Sequence, residues 1–144
     1  MNRKILFRGK PIKPYGHIVL GNGEKYIEFE YGGYFKDDCY GGCPEGKHYI
    51  VFSNTAGLGY IDTIQVIPET VGQDTGLKDK NGVSIFEGDI VKISYKGRNK
   101  FGIIESLGYE FSIKDMNNMY WSITSVPLEV IGNTTDNQEF LEVR

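Results

Sequence analysis

The chain contains few of the residues that carry most enzyme and metal chemistry. Among its 144 residues are 2 cysteines, 2 histidines and 1 tryptophan. Nucleophilic catalysis needs a base beside the nucleophile, and neither His17 nor His48 lies in a nucleophile motif such as G-x-S-x-G. Two cysteines are also too few for a disulfide-rich scaffold. We therefore expect a protein that is not an enzyme and that needs no cofactor.

Long apolar runs and an excess of positive charge are also absent. No apolar run approaches the ~20 residues of a membrane helix, and "ILF" in "MNRKILFRGK" is shorter than the about 7–15 apolar residues of a signal peptide. The net charge is −3, whereas a general nucleic-acid binder carries bulk positive charge. We expect a soluble, intracellular protein with no membrane partner, in which any nucleic-acid binding needs a local basic patch.

Strand patterns dominate the first half of the chain. The segment "YGHIVLGNGEKYIEFEY" places Asn22-Gly23 between two apolar runs, which predicts a hairpin with a type I′ turn. "HYIVFS" and "YIDTIQVI" are β-branched or aromatic and too short for helices, so both are predicted strands. The intervening "GGYFKDDCYGGCPEG" is glycine-rich and is predicted to be irregular. The first lobe, residues 1–68, is therefore predicted to be rich in β-hairpins.

After Pro68 the strand pattern restarts with a regular spacing. "GDIVKISY", "KFGIIESL", "YEFSIKD", "YWSIT" and "PLEVIG" are five short strand candidates, which predicts a small barrel or sandwich. The tail "NTTDNQEFLEVR" is predicted to form a short helix, with Thr134, Thr135 or Asp136 as its cap and Glu139 completing a capping box. The whole chain is predicted to be all-β, with a second lobe over residues 69–144.

Residues 69–92, "ETVGQDTGLKDKNGVSIFEGDIVK", look at first like a ligand loop. A phosphate loop would need G-x-x-x-x-G-K-[ST], and a calcium loop would need side-chain ligands where Leu77 and Gly88 stand. A hairpin explains the stretch better, with a type I′ turn at Asn81-Gly82 and a second tight turn at Gly88-Asp89. Residues 69–76 are more polar than a connector requires, and the hairpin gives them no role.

One candidate metal site contains both cysteines. "DDCYGGCPEGKH" brings Cys39, Cys43 and His48 together in sequence, but zinc is commonly bound by four ligands from two such pairs. The alternatives are two reduced cysteines in a loop, or a disulfide if the compartment is oxidising. We favour the reduced cysteines and predict no metal site.

A second candidate site lies in "KISYKGRNKF". Basic residues interleaved with aromatics can contact a nucleic-acid backbone and stack on its bases. The alternative is a solvated hairpin whose lysines protect a strand edge, and the acidic balance of this half of the chain favours it. The candidate nucleic-acid-binding residues are Lys92, Tyr95, Lys96, Arg98 and Lys100.

The chain resembles the YopX-like family of bacteriophage and prophage proteins. The resemblance rests on "PETVGQDTGLKDKNGVSIFEGDIVK", on "LEVIGNTTDNQEFLE" and on the opening "FRGK", while residues 17–67 match no pattern of the family. It implies an SH3-type barrel in the second lobe and a bacterial cytoplasm, but it implies no activity. We expect a non-enzymatic interaction module whose partner is a second copy or a phage or host protein; the alternative is a nucleic-acid-binding accessory protein using the basic hairpin.

Overall fold

The protein is built from antiparallel β-sheets, as a computed structural model shows for residues 5–12, 18–19, 25–26, 28–42, 46–53, 61–108 and 110–142. Every strand pair among these residues is antiparallel, so the all-β prediction is confirmed. The chain divides into two compact units, one within Lys4–Gln73 and the other within Asp74–Arg144. No described helix is long and apolar enough to cross a membrane.

The N-terminal unit contains a sheet with the strand order β6-β5-β4-β1-β7 and a separate two-stranded pair, β2-β3. Its elements are β1 (Phe7–Gly9), β2 (Ile18–Val19), β3 (Lys25–Tyr26), β4 (Glu30–Asp37), β5 (Lys47–Ser53), β6 (Ile61–Val66) and the start of β7 (Gly72–Lys78), with 3₁₀ turns at Cys39–Gly41 and Pro68–Thr70. The predicted turn at Asn22-Gly23 lies outside the described residues, although β2 and β3, which flank it, do pair.

The sequence pattern of this sheet decides which of its faces is buried. Ile64 and Val66 alternate with polar residues on β6, and with Ile50 on β5 they form the buried centre of one face. Tyr34 lies opposite Ile50 on β4 and packs on the same centre. Because successive strand residues point to opposite faces, the residues between these positions form the other face.

Gly32 fits this sheet because it has no side chain. A Cβ at this position would overlap the backbone oxygen of Val51, whereas a Cβ at neighbouring Gly33 would lie 3.8 Å from the same oxygen. We expect Gly32→Ala to lower the free energy of unfolding by about 1–3 kcal/mol, since overpacking moves backbone. Gly33→Ala is the matched control and should stay close to the wild type. Urea denaturation of both variants tests this, and equal midpoints would contradict it.

The C-terminal unit contains a five-stranded sheet with the order β12-β11-β10-β9-β13. The strands of this sheet are β9 (Asp89–Tyr95), β10 (Arg98–Ser106), β11 (Phe111–Asp115), β12 (Tyr120–Ser122) and β13 (Leu128–Asn133). The unit also contains β8 (Ser84–Phe86), which pairs with the end of β7. All five strands predicted after Pro68 are present. The predicted barrel is not closed within the described residues, because β12 and β13 are left as the two edges of the sheet.

The core of this unit is apolar and β-branched. It is formed by Ile85, Val91, Ile93, Ile104, Ile113, Ile123 and Leu128, with Trp121 and Val130 among the residues packed against it. On the other face of the sheet, Phe101 meets Phe140 edge-on, with their ring centroids 5.6 Å apart. Phe140 belongs to α1 (Glu139–Glu142), a single turn. The predicted tail helix is therefore much shorter than its segment, whose preceding residues form hydrogen-bonded turns around Asn133.

The β7-β8 hairpin is present, but its predicted type I′ turn is wrong. A type I′ turn has positive φ at both central residues, whereas Gly82 has a φ of 80° and Asn81 does not have a positive φ. Instead, Asp79 and Val83 close a three-residue loop, with the Asp79 N–H donating to the Val83 carbonyl at 2.8 Å. The second predicted tight turn is also observed, with Gly88 at a φ of 89°.

Candidate functional site

The β9-β10 hairpin brings most of the predicted basic and aromatic residues together. Its two-residue turn is Lys96-Gly97, with φ values of 48° and 74°, as a type I′ turn requires. Tyr95 pairs with Arg98, and Lys100 pairs with Ile93. Because residues paired across antiparallel strands lie on the same face, Tyr95, Arg98 and Lys100 share the face that carries the core.

Tyr95 and Trp121 form an aromatic pair beside this turn. Their ring centroids lie 5.0 Å apart with the planes at 66°, an edge-to-face geometry. Lys100 Nζ lies 5.0 Å from the centre of the Trp121 ring, and Lys96 Nζ lies 5.3 Å from that of Tyr95. We call Tyr95, Lys96, Arg98, Lys100 and Trp121 the aromatic-basic cluster. Tyr95 is 39% exposed, so the cluster faces solvent at one end of the core.

A buried carboxylate fixes the tryptophan of the cluster. The Trp121 Nε1–H donates to Asp115 Oδ2 at 2.8 Å, while the backbone N–H groups of Asn117 and Met119 donate to Oδ1 of the same carboxylate at 2.9 Å. Burial alone would raise the pKa of Asp115, but the hydrogen bonds from Trp121 and the two backbone donors, with the nearby charge of Lys100, lower it. The indole ring is therefore held in one orientation by an ionised group.

Lys92 does not belong to the cluster, contrary to its grouping in the sequence. It pairs with Phe101 and Glu129 and therefore lies on the opposite face of the sheet from Tyr95 and Lys100. Its Nζ is 3.3 Å from Glu129 Oε2. The hydrogen bond and charge of Lys92 hold the pKa of Glu129 below its ordinary value. Strand alternation thus separates this lysine from the other candidate residues.

The cysteine segment does not present the free thiols that we favoured. Cys39 is disulfide-bonded, so its sulfur is not available as a zinc-binding thiolate; Cys43 lies outside the described residues. His48 is on β5, where its Nδ1 lies 2.6 Å from Tyr34 Oη. Among the described residues, no group of three His, Cys, Asp or Glu residues could hold a metal ion.

The N-terminal sheet carries an exposed aromatic and apolar surface. Phe35 and Tyr49 are paired across β4 and β5, and their rings stack with centroids 4.9 Å apart and planes at 12°. Tyr31, on the same face, is 48% exposed, Phe35 is 44% exposed and Ile61 is 72% exposed. We call Tyr31, Phe35, Tyr49 and Ile61 the open face. Together they form an aromatic sheet surface in contact with solvent.

Two of the residues that build these surfaces were missed because their positions depend on strand register. Trp121 reaches Tyr95 only because β12 pairs with β11, where Trp121 lies opposite Ile113. Phe35 lies in a segment that the sequence predicts to be irregular, since the adjacent Gly32-Gly33 obscures the strand pattern. The one available signal was the single tryptophan in a predicted strand, because a large aromatic there usually faces a core or an interface.

These features define a small all-β protein in which the fifth strand of the C-terminal sheet returns to pair with the first. The chain belongs to the YopX family: the family model described as "YopX protein" matches residues 36–142. This confirms the resemblance found in the sequence. The match includes residues 36–67, which the sequence patterns did not place, and leaves out the opening "FRGK".

A solved structure is similar along almost the whole chain. Protein EF1440 from Enterococcus faecalis is 21% identical, with 97% of this chain and 99% of that chain covered and a TM-score of 0.48. No curated protein sequence matches the chain.

Proposed function

We propose that the protein is a non-enzymatic interaction module that self-associates through the open face of its N-terminal sheet. The observation that carries this proposal is the stacked Phe35–Tyr49 pair, in which Phe35 is 44% exposed, on the same sheet face as Tyr31 and Ile61. Aromatic side chains bury a large apolar area at low entropic cost, and they are enriched in the centres of protein interfaces. A sheet face of this kind is suited to contact with another protein.

The charges at the border of the open face favour a second copy as the partner. Asp37 and Lys47 are paired across β4 and β5, on the same face as Phe35 and Tyr49. In a two-fold symmetric interface the same patch is used by both subunits. Two such faces, related by a two-fold axis, can set Lys47 of one copy against Asp37 of the other. Opposite charges then meet at the rim while the aromatic residues pack at the centre.

The side-chain chemistry supports a role without catalysis. The buried carboxylates Asp79, Asp89 and Asp115 accept hydrogen bonds from backbone N–H groups within the fold, and His48 is hydrogen-bonded to Tyr34. These groups hold the structure in place, which leaves surface recognition as the better-supported role.

The proposal extends to the type of fold and to the setting in which the protein works. In SH3-like barrels, four consecutive strands form a meander and a fifth strand returns to pair with the first. Strands β9 to β13 have this order. We propose an SH3-like interaction unit encoded by a phage or prophage and acting in the bacterial cytoplasm. The observation that opposes the cytoplasmic part is the disulfide at Cys39, because cytosolic thiols are normally kept reduced.

Substitution of Phe35 tests the self-association. We expect the wild-type protein to form a dimer or larger oligomer as its concentration is raised, and Phe35→Glu to remain monomeric, because a charge at the centre of the interface must be desolvated. Multi-angle light scattering with size-exclusion chromatography, from about 1 to 200 μM, measures the mass; the upper limit reaches weak complexes with dissociation constants near 100 μM.

Val83→Glu provides the matched control for this experiment. Val83 is 48% exposed in the β7-β8 turn and is not a residue of the open face, so the substitution adds the same charge at a similar exposure. The control should keep the wild-type mass. A wild-type protein that is monomeric at every concentration, or an oligomer that Phe35→Glu does not weaken, would contradict the proposal.

A further inference from the structure

We infer that the aromatic-basic cluster binds single-stranded nucleic acid, with a base stacked on Tyr95 or Trp121 and phosphates bound by Lys96, Arg98 and Lys100. This inference is independent of the self-association, since it rests on residues of the C-terminal unit alone. It adds Trp121 to the candidate residues and removes Lys92 from them.

The aromatic part of the cluster is organised before any ligand binds. Asp115 accepts the Trp121 Nε1–H at 2.8 Å, and the Tyr95 ring meets the indole at 5.0 Å between centroids. A platform held in this way loses little side-chain freedom when a base stacks on it. Stacking on aromatic side chains is the main sequence-tolerant contact in single-strand recognition.

The lysines mark the faces on which a base would stack. Lys100 Nζ lies over the Trp121 ring and Lys96 Nζ lies over the Tyr95 ring. Both side chains are long and flexible, so each ammonium group can turn from the ring to a phosphate when a base takes its place. The base then covers the aromatic ring, and the ammonium group contacts a phosphate, which carries a full negative charge.

Charge complementarity selects a polyanion as the partner. Lys96, Arg98 and Lys100 lie within five positions of one another on a single hairpin, and the charge of Asp115 interacts with that of Lys100. Two cations, Lys96 and Arg98, therefore remain at the exposed tip. Glu129 lies on the opposite face of the sheet, where Lys92 and Lys80 contact it at 3.3 and 3.5 Å.

A single strand fits this surface better than a duplex or an acidic peptide. Duplex bases are already stacked on each other, so a duplex would engage the cations and leave the aromatic pair unused. An acidic peptide would likewise offer charge without bases. Single-stranded nucleic acid provides both unstacked bases and phosphates, and the three ligands can be compared directly.

The fluorescence of Trp121 gives a direct test, because it is the only tryptophan in the chain. The probes are a 12-nucleotide oligothymidylate, the same length of oligouridylate, a 12-base-pair duplex and polyglutamate, each titrated at 50 mM salt. We expect both single strands to quench Trp121 and to bind at least tenfold more tightly than the duplex or polyglutamate. Raising the salt to 200 mM should weaken binding, since counterions are released when phosphates are neutralised.

Three variants separate stacking from charge. Tyr95→Ala should weaken single-strand binding about tenfold, within the range that alanine substitution gives for one stacked base, and Tyr95→Phe should restore it. Lys96→Glu combined with Arg98→Glu should weaken it more than tenfold. The matched control is Lys36→Glu with Lys78→Glu, an equal charge change on exposed residues outside both the cluster and the open face, and it should bind as the wild type does.

The outcomes divide clearly. The inference is supported if single strands quench Trp121, if Tyr95→Ala weakens this binding about tenfold, and if the Lys36, Lys78 control keeps it. It is overturned if the single strands leave Trp121 fluorescence unchanged up to 100 μM protein, if the duplex or polyglutamate binds equally well, or if the control pair weakens binding as much as the hairpin pair. Circular dichroism of each variant establishes that it is folded before it is titrated.

Discussion

Replacement of Asp79 by alanine is expected to lower the free energy of unfolding by about 4 kcal/mol. The Asp79 carboxylate accepts three backbone N–H groups: those of Asn81 at 2.8 Å and of Val83 and Val130 at 2.9 Å. Asp79 is only 8% exposed, so water cannot readily replace it, and each buried donor left without an acceptor costs about 1–3 kcal/mol. Urea denaturation followed by circular dichroism measures the loss.

Two further variants make the Asp79 result specific. Asp79→Asn keeps an acceptor oxygen and should recover part of the loss. Asp74→Ala, on the preceding strand β7, is the matched control, since the Asp74 carboxylate accepts only the Gly76 N–H among its described hydrogen bonds, at an exposed position. We expect Asp74→Ala to cost about 1 kcal/mol or less. If Asp79→Ala were no more destabilising than Asp74→Ala, the role assigned to Asp79 would be wrong.

Replacement of Asp115 by alanine is the second large expected effect. The substitution removes the acceptor of the Trp121 Nε1–H and of two backbone N–H groups, so we expect a loss of about 3–4 kcal/mol in the free energy of unfolding. It should also shift the tryptophan emission of the folded protein to longer wavelength, because the released indole becomes more exposed to water. The emission shift would not follow from a destabilised strand turn alone.

The stabilisation from Asp115 should depend on pH with a defined sign. The pKa of Asp115 is lowered in the folded protein, so its ionised form is favoured by folding. The stabilisation is then fully present above the ordinary aspartate pKa of about 4 and is lost as the pH falls through the lower folded value. The difference between wild type and Asp115→Ala should be constant above about pH 5 and should shrink below about pH 4. A difference that grows on acidification would contradict this assignment.

The strands of the C-terminal unit could be predicted because their information is local. "GDIVKISY", "KFGIIESL", "YEFSIKD", "YWSIT" and "PLEVIG" each contain a β-branched or aromatic run that a turn residue ends, and these features need no knowledge of distant contacts. By contrast, β4 contains Gly32-Gly33, and its value to the fold lies in the close approach of the Val51 backbone. That approach is a feature of the tertiary structure, and the sequence shows only two glycines, which do not by themselves predict a strand.

The polar residues 69–76 show the same limit. They looked too polar for a connector, and most of them belong to strand β7. The Thr75 hydroxyl donates to the Ile85 carbonyl at 2.8 Å and also accepts the Leu77 N–H at 3.2 Å, while the Asp74 carboxylate accepts the Gly76 N–H at 2.9 Å. The polar side chains here form hydrogen bonds with backbone groups of an irregular hairpin, in which the pairing of β7 with β8 shifts register. Their composition is therefore similar to that of a binding loop, although most of them belong to a strand.

The candidate cluster was predicted in part for a comparable reason. Tyr95, Lys96, Arg98 and Lys100 are close in sequence, so one hairpin is enough to bring them together. Trp121 joins them through two further strand pairings, and the side to which Lys92 points depends on which residues face the core. Neither fact could be obtained from spacing in the sequence alone.

The bond between Asp79 and Val130 spans 51 positions and has a consequence for synthesis on the ribosome. The sheet pairings of the N-terminal unit join residues within Lys4–Gln73, so they can form once that part of the chain has emerged. The C-terminal sheet needs β13, whose Leu128 pairs with Ile93, and such distant contacts slow folding. During translation, the N-terminal unit is therefore able to fold before Val130, the most distant of the three N–H donors to the Asp79 carboxylate, has been synthesised.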